Sequence, residues 1–145
     1  MGASSVKALT VYQPWAWAIA FGDKDVENRT RGTRHRGELA IHAGKPWDEY
    51  GAADPRIIAA AGQLAGPLLR DDRFEFGSIV AVAELVDVVR DSPSPWAAPG
   101  QCHWLLANVR PVAEPVPCRG WQNVWDVPPE VEVAVQAQLD RRDLT

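Results

Sequence analysis

The chain has 145 residues and a formal net charge of −4, with 46% hydrophobic and 23% charged side chains. That is enough for one domain with a hydrophobic core and too little for two, and the acidic balance excludes a general nucleic-acid coat, whose affinity grows with the phosphates it neutralises. No apolar run approaches the ~20 residues of a membrane span, and the opening MGASSVKALTV lacks an apolar stretch behind a basic one, so a cytoplasmic protein without membrane contact is expected.

Leu9 and Val11 alternate with polar or small neighbours, which predicts a strand over 6–12. Pro14 suits a first helical position, and Trp15, Ala18 and Ile19 recur at helical spacing until Gly22 ends the run. Trp15 then lies on an apolar face, as core or as a stacking platform, while Trp17, about 200° further round, is expected at a cleft rim. A Gly22-Asp23 turn leads into a short strand over 26–29. Thr30 to His35 reads as a polar loop, and Leu39 and Ile41 give a strand over 37–43 with Glu38 and His42 on its other face. Asp54 caps a helix opened by Pro55, about three turns long, with Ile57, Ala60, Ala61, Leu64 and Ala65 on one side and Gly66-Pro67 at its end.

Residues 77–90, GSIVAVAELVDVVR, are β-branched or small on both faces, which predicts a central strand covered twice. A further strand is expected over 103–109. Eight of the twelve prolines follow Arg90, so 91–101 and 111–129 read as loops, tied down by their tryptophans. Pro128-Pro129 begins a terminal helix over about 129–141, with Val131, Ala134, Val135 and Leu139 on one side. The sum is one α+β domain over 1–145, a small curved sheet or barrel with flanking helices.

Charge of one sign is gathered in one place. Between Asn28 and Lys45 stand five bases, Arg29, Arg31, Arg34, Arg36 and Lys45, against one acid, Glu38. Guanidinium groups beside a lone glutamate and two tryptophans suit a phosphate-bearing or planar ligand. Glu27 and Arg29 share parity in their strand and point the same way, and Lys24 joins them if the Gly22-Asp23 turn curls it back. Lys24 and Glu27 form either a solvated salt bridge or part of a ligand site, and Arg31, Arg34 and Arg36 either a solvated loop or phosphate contacts. His42 is a structural histidine or a rim residue. Glu84, mid-strand among valines, is either paired or edging the cleft. Trp121, Gln122, Asn123 and Trp125 make an aromatic-amide loop able to stack on and bond to a base, with Trp121 at the rim and Asn123 as the contact. Cys102 and Cys118 lack the second pair of a zinc site, so two buried thiols rather than a disulfide, no metal and no cofactor are expected. No phosphate-binding glycine loop, Ser-His-Asp order or HExxH is present.

QPWAWAIAFG, then Gly22-x-Lys24-x-x-Glu27-x-Arg29, HRGELAIHAG and Gly120-x-x-x-x-Trp125 together resemble the ASCH domain family over roughly 6–130. The resemblance implies a PUA-like barrel whose strand-helix-strand cleft faces a ligand, and RNA or DNA binding. Some relatives are amidohydrolases on N4-acylated cytidines and others ribonucleases. Lys24 matches the lysine that is catalytic in the amidohydrolases; Glu27 stands where they carry a threonine nucleophile, and a carboxylate there pairs with Lys24 instead. Their distant carboxylate has candidates in Glu84, Asp87 and Asp91.

The expected function is an ASCH-type module holding single-stranded RNA or a nucleotide, with DNA as a further partner. Lys24, Glu27, Arg29 and Arg36 would line the cleft, with Arg34 and Asn123 adding contacts. The alternatives are a small hydrolase using Lys24 and Glu27, on acylated cytidines or RNA, and a protein-interaction domain.

Overall fold

Parallel pairing of Lys7–Gln13 (β1) with Gly37–Trp47 (β3) sets the frame, running from Lys7 opposite Leu39 to Val11 opposite Ala43. The crossover between them holds a short helix, Trp15–Phe21 (α1), and the strand Val26–Arg29 (β2). After two short helices, Glu49–Ala52 (α2) and Pro55–Ala60 (α3), come the long antiparallel strands Ser78–Val89 (β4) and Cys102–Pro117 (β5). Val124–Asp126 (β6) and the helix Pro129–Asp143 (α4) complete the chain in this computed structural model, which describes residues 6–64 and 66–143.

The strands form one sheet in the order β2-β5-β4-β3-β1-β6. β2 and β6 are its edges and do not pair with each other, so the α+β class holds but the expected barrel is an open six-stranded sheet. Edge strands of four and three residues are too short to close it.

Both faces of the sheet are covered, which is why its central strands read as continuous apolar runs. Leu9, Val11, Leu39, Ile41, Ala81 and Leu85 pack with Ala16 and Ile19 of α1. Ala8, Ala40, Ile79 and Val82 pack with Val131, Val135 and Leu139 of α4. Each leucine or isoleucine buried this fully contributes roughly 1.5–3 kcal/mol. β4 is central as expected, but from Glu84 onward Glu84, Val86 and Asp87 are exposed.

Three expectations from the turns and prolines are corrected. The helix after Asp54 is only six residues: Gly62 turns out at φ 74° and Leu64, placed on its apolar face, is exposed, while Ala65 lies outside the described residues. Residues 111–117, read as loop, are strand. β2 pairs only with Cys102 to Leu105, so the rest of β5 is an edge on that side, where Pro111, Pro115 and Pro117 are tolerated. Register shifts at Ile79/Ala81 and Val82/Glu84 absorb the irregularity. Val124–Asp126, also read as loop, pairs antiparallel with Lys7 to Leu9. Among the described residues no helix is long and apolar enough to cross a membrane, no three-residue metal cluster occurs, and both cysteines are free, Cys102 buried and Cys118 half-buried.

Candidate nucleic-acid interface

A cleft of about 1740 Å³ opens where β1 and β3 end against α1, β2, the loop before β5 and the loop after it. It exceeds the ~300–1,000 Å³ of an ordinary small-molecule pocket and so has room for more than one planar group.

Its inner wall is built by the Gly22-Asp23 turn. Asp23 adopts φ 59°, and the amides of Gly22 and Lys24 both donate to the Ala18 carbonyl, at 2.8 and 3.1 Å. The turn carries Lys24 back beneath the sheet edge. Lys24 is 2% exposed; its Nζ donates to the Val26 carbonyl and, at 3.0 Å, to Glu27 Oε1, and lies 5.5 Å from the centre of the Trp15 ring. An ammonium has three donors, so one remains uncommitted. Glu27 Oε2 accepts from Arg29 at 3.2 Å, and Arg29 also reaches the Thr10 carbonyl at 3.4 Å. The shared parity of Glu27 and Arg29 thus yields a continuous Lys24-Glu27-Arg29 string.

One side of the cleft is braced by long-range polar contacts. Trp15 Nε1 donates to Asp48 Oδ2 at 2.8 Å, while Asp48 Oδ1 caps α2 through the Tyr50 amide. Arg56 stands 4.5 Å over the Trp96 ring, donates to the Pro95 carbonyl and pairs with Asp54 at 2.6 Å. That hydrogen bond from Arg56 holds the Asp54 carboxyl below its ordinary range. Asn28 fastens the same loop to β2, donating to the Trp96 carbonyl and accepting from the Ala98 amide, each at 2.9 Å.

The loop after β5 forms the facing side. Arg119 lies 3.9 Å over the ring of Trp121, which is 52% exposed. Between them Gly120 rests on His42 and Thr10: a Cβ there would come within 2.6 Å of His42 Cε1 and 2.7 Å of Thr10 Oγ1. His42 in turn hydrogen-bonds the Cys118 carbonyl at 2.8 Å and Thr10 Oγ1 at 3.2 Å, edge-on to Trp125. Burial lowers the His42 pKa, and the Cys118 carbonyl opposes that shift. Burial also pushes the Cys118 thiol up. Gly120→Ala is expected to displace the Arg119–Trp121 segment and to lower stability by about 1–3 kcal/mol, the range for overpacking. A melting curve matching the parent's, with unchanged Trp121 fluorescence, would contradict that packing.

The structure brings Lys24, Glu27, Arg29, Trp121 and Asn123 into one cleft. It does not bring the others. Arg34 is exposed in the 30–36 loop, and Arg36 pairs with Asp87 at 3.2 Å and donates to the carbonyls of Thr33 and His35. Neither lines the cleft. Trp17, expected at the rim, packs against Phe21 and Phe74 in a satellite cluster, because the helix is wrapped on that side by the segment around Leu68 and Phe74. His42, read as a structural histidine or a rim residue, is the former: it is 2% exposed under the loop it supports. Glu84 and Asp91 are exposed outside the cleft, as is Asp87. Among the described residues the lining carboxylates are Glu27 and Asp48. Sequence reasoning missed Asp48, Arg56, Trp96 and Arg119, and counted Lys45 without placing it. The one local signal was the triplet Arg119-Gly120-Trp121, a base and an aromatic about a glycine.

An α+β domain with an open mixed sheet and a cationic cleft at its strand ends is the class of protein that this geometry defines. The chain belongs to the ASCH domain family, whose model matches residues 9–127. Its fold is similar to two crystal structures of the ASCH protein of Zymomonas mobilis. One, of a mutant, has TM-score 0.55 and 14% identity, covering 92% of this chain and 98% of that one. The other has TM-score 0.52 and 14% identity, covering 94% of each. No curated protein matches the chain.

Proposed function

We propose that the protein binds single-stranded RNA in this cleft, with a base against the Lys24-Glu27-Arg29 wall and the backbone along the cationic rim. The observation that carries this reading is the charge balance of the lining. Lys24, Arg29, Lys45, Arg56 and Arg119 face it with two acids, and both acids already hold partners, Glu27 its two cations and Asp48 the Trp15 indole. A net-acidic protein with a net-basic cleft attracts a polyanion locally while discouraging indiscriminate binding. Exposed Trp121 and half-buried Trp15 supply faces on which bases stack. Two free thiols suit a reducing, cytoplasmic setting.

A binder is favoured over a hydrolase by the committed state of Lys24. A lysine acting as general base must give up its proton, and here the ammonium is held by a carboxylate and a carbonyl. Purified protein should therefore bind short single-stranded RNA saturably, with log K falling by about 0.7 per log unit of salt for each phosphate neutralised, and should leave N4-acylcytidines and RNA uncleaved. Matching DNA strands in the same titration test the sugar preference. Absence of binding at low salt would remove the nucleic-acid reading, and turnover of either substrate would put the hydrolase in its place.

A further inference from the structure

Lys45 and Arg119 differ from every other cation of the cleft. Lys24 and Arg29 are tied to Glu27, and Arg56 to Asp54. Among the described residues neither Lys45 nor Arg119 has a carboxylate within ion-pair distance, although both are exposed and line the cleft. The backbone draws them together. Gly77, at φ 65°, donates from its amide to the Ala43 carbonyl at 2.7 Å and accepts at its carbonyl from the Cys118 amide at 3.1 Å. Lys45 follows Ala43 by two residues and Arg119 follows Cys118 by one, so both spring from backbone within two residues of a bond to the same glycine. The Lys45 stem lies over Gly77, its Cε 3.5 Å from where a Cβ would stand.

We infer that Lys45 and Arg119 form a phosphate subsite, and that the ligand of the cleft is accordingly a phosphorylated nucleotide unit rather than a bare nucleoside. This rests on the cleft being a nucleotide site and adds which end of the ligand goes where. Arg119 lies over the Trp121 ring, and among the described residues its N–H groups have no hydrogen-bond partner, so the fork that grips two phosphate oxygens is available, and Lys45 adds a point charge. The inner wall has a different character, with buried charges already neutralised beside the Trp15 ring, which suits a base edge.

The test compares the parent with the double variant Lys45→Gln/Arg119→Gln, using inorganic pyrophosphate, the four nucleosides, their 5′-monophosphates and a short single-stranded oligoribonucleotide without a terminal phosphate. Both positions are exposed, and thermal melting confirms that the variant is folded. The parent should bind monophosphates at least about tenfold more tightly than nucleosides, and the double variant should erase that difference. An accompanying loss for the oligonucleotide assigns the subsite to bridging phosphates; loss confined to the monophosphates assigns it to a terminal one. Pyrophosphate bound by the parent and lost in the variant, with no nucleoside or RNA binding, upholds the subsite and removes the nucleic-acid reading. Equal binding of pyrophosphate and phosphorylated ligands by parent and variant overturns the inference. So does a parent that neither binds pyrophosphate nor prefers monophosphates to nucleosides.

Discussion

Glu27→Gln should destabilise the protein by about 3–5 kcal/mol, the cost of breaking a buried ion pair from one side, whereas Lys24→Met should cost far less. The asymmetry follows from the string of contacts. With Glu27 neutralised, the Lys24 ammonium, 2% exposed, keeps only the Val26 carbonyl and an amide in place of an anion. With Lys24 replaced by an apolar chain of similar length, the Glu27 carboxylate, 10% exposed, still has Arg29 at 3.2 Å, and Arg29 reaches solvent. No buried charge is then orphaned. Since small domains are stable by ~5–15 kcal/mol in total, the first substitution removes a large share and the second does not. Urea unfolding at neutral pH measures both. Equal losses would mean that Lys24 is held by packing on Trp15 rather than by charge, and a stable Glu27→Gln would place water at the ammonium.

What the sequence disclosed were contacts made over short stretches of chain. The spacing Gly22-x-Lys24-x-x-Glu27-x-Arg29 reveals the ion string because a turn and a four-residue strand suffice to assemble it. Residues 78–83 identified the central strand because burial on both faces removes most polar residues from both parities. The other half of the cleft was hidden by distance. Arg56 becomes a wall only because a carbonyl at Pro95 and the ring of Trp96 meet it from a loop far along the chain. The strands that carry Lys45 and Arg119 are both bonded to Gly77, through Ala43 and Cys118, which no local pattern announces. Proline misled in the same way: it forbids a ladder hydrogen bond but does not say which side of a strand lacks a neighbour, and β5 turned out to have a free side. Trp17 was misplaced because its position on a helix was legible while the segment packed over it was not.

That distinction between charge in the chain and charge in the cleft gives the remaining large effect. Arg29→Ala should weaken binding of single-stranded RNA by about tenfold or more, as expected for a charged hydrogen-bond donor, whereas Arg34→Ala/Arg36→Ala together should change it by less than about twofold at physiological salt. All three arginines belong to the same basic run. In the fold Arg29 lines the cleft, held in place by Glu27 and the Thr10 carbonyl, with donors left over. Arg36 is turned toward Asp87 and the carbonyls of its own loop, and Arg34 projects into solvent. Exposed charges beyond a Debye length of about 8 Å contribute little once salt is present, so any effect of the loop pair should appear only at low ionic strength. A salt titration separates the cases: Arg29 faces the base, so its loss should lower affinity at every salt concentration with little change in the slope of log K against log salt, whereas losing the loop pair should leave affinity at physiological salt unchanged. Since Glu27 retains Lys24 when Arg29 is removed, the variant should stay folded and its loss of affinity should report binding. A larger loss from the loop pair than from Arg29 would mean that the strand runs along residues 30–36 and that the cleft holds something else.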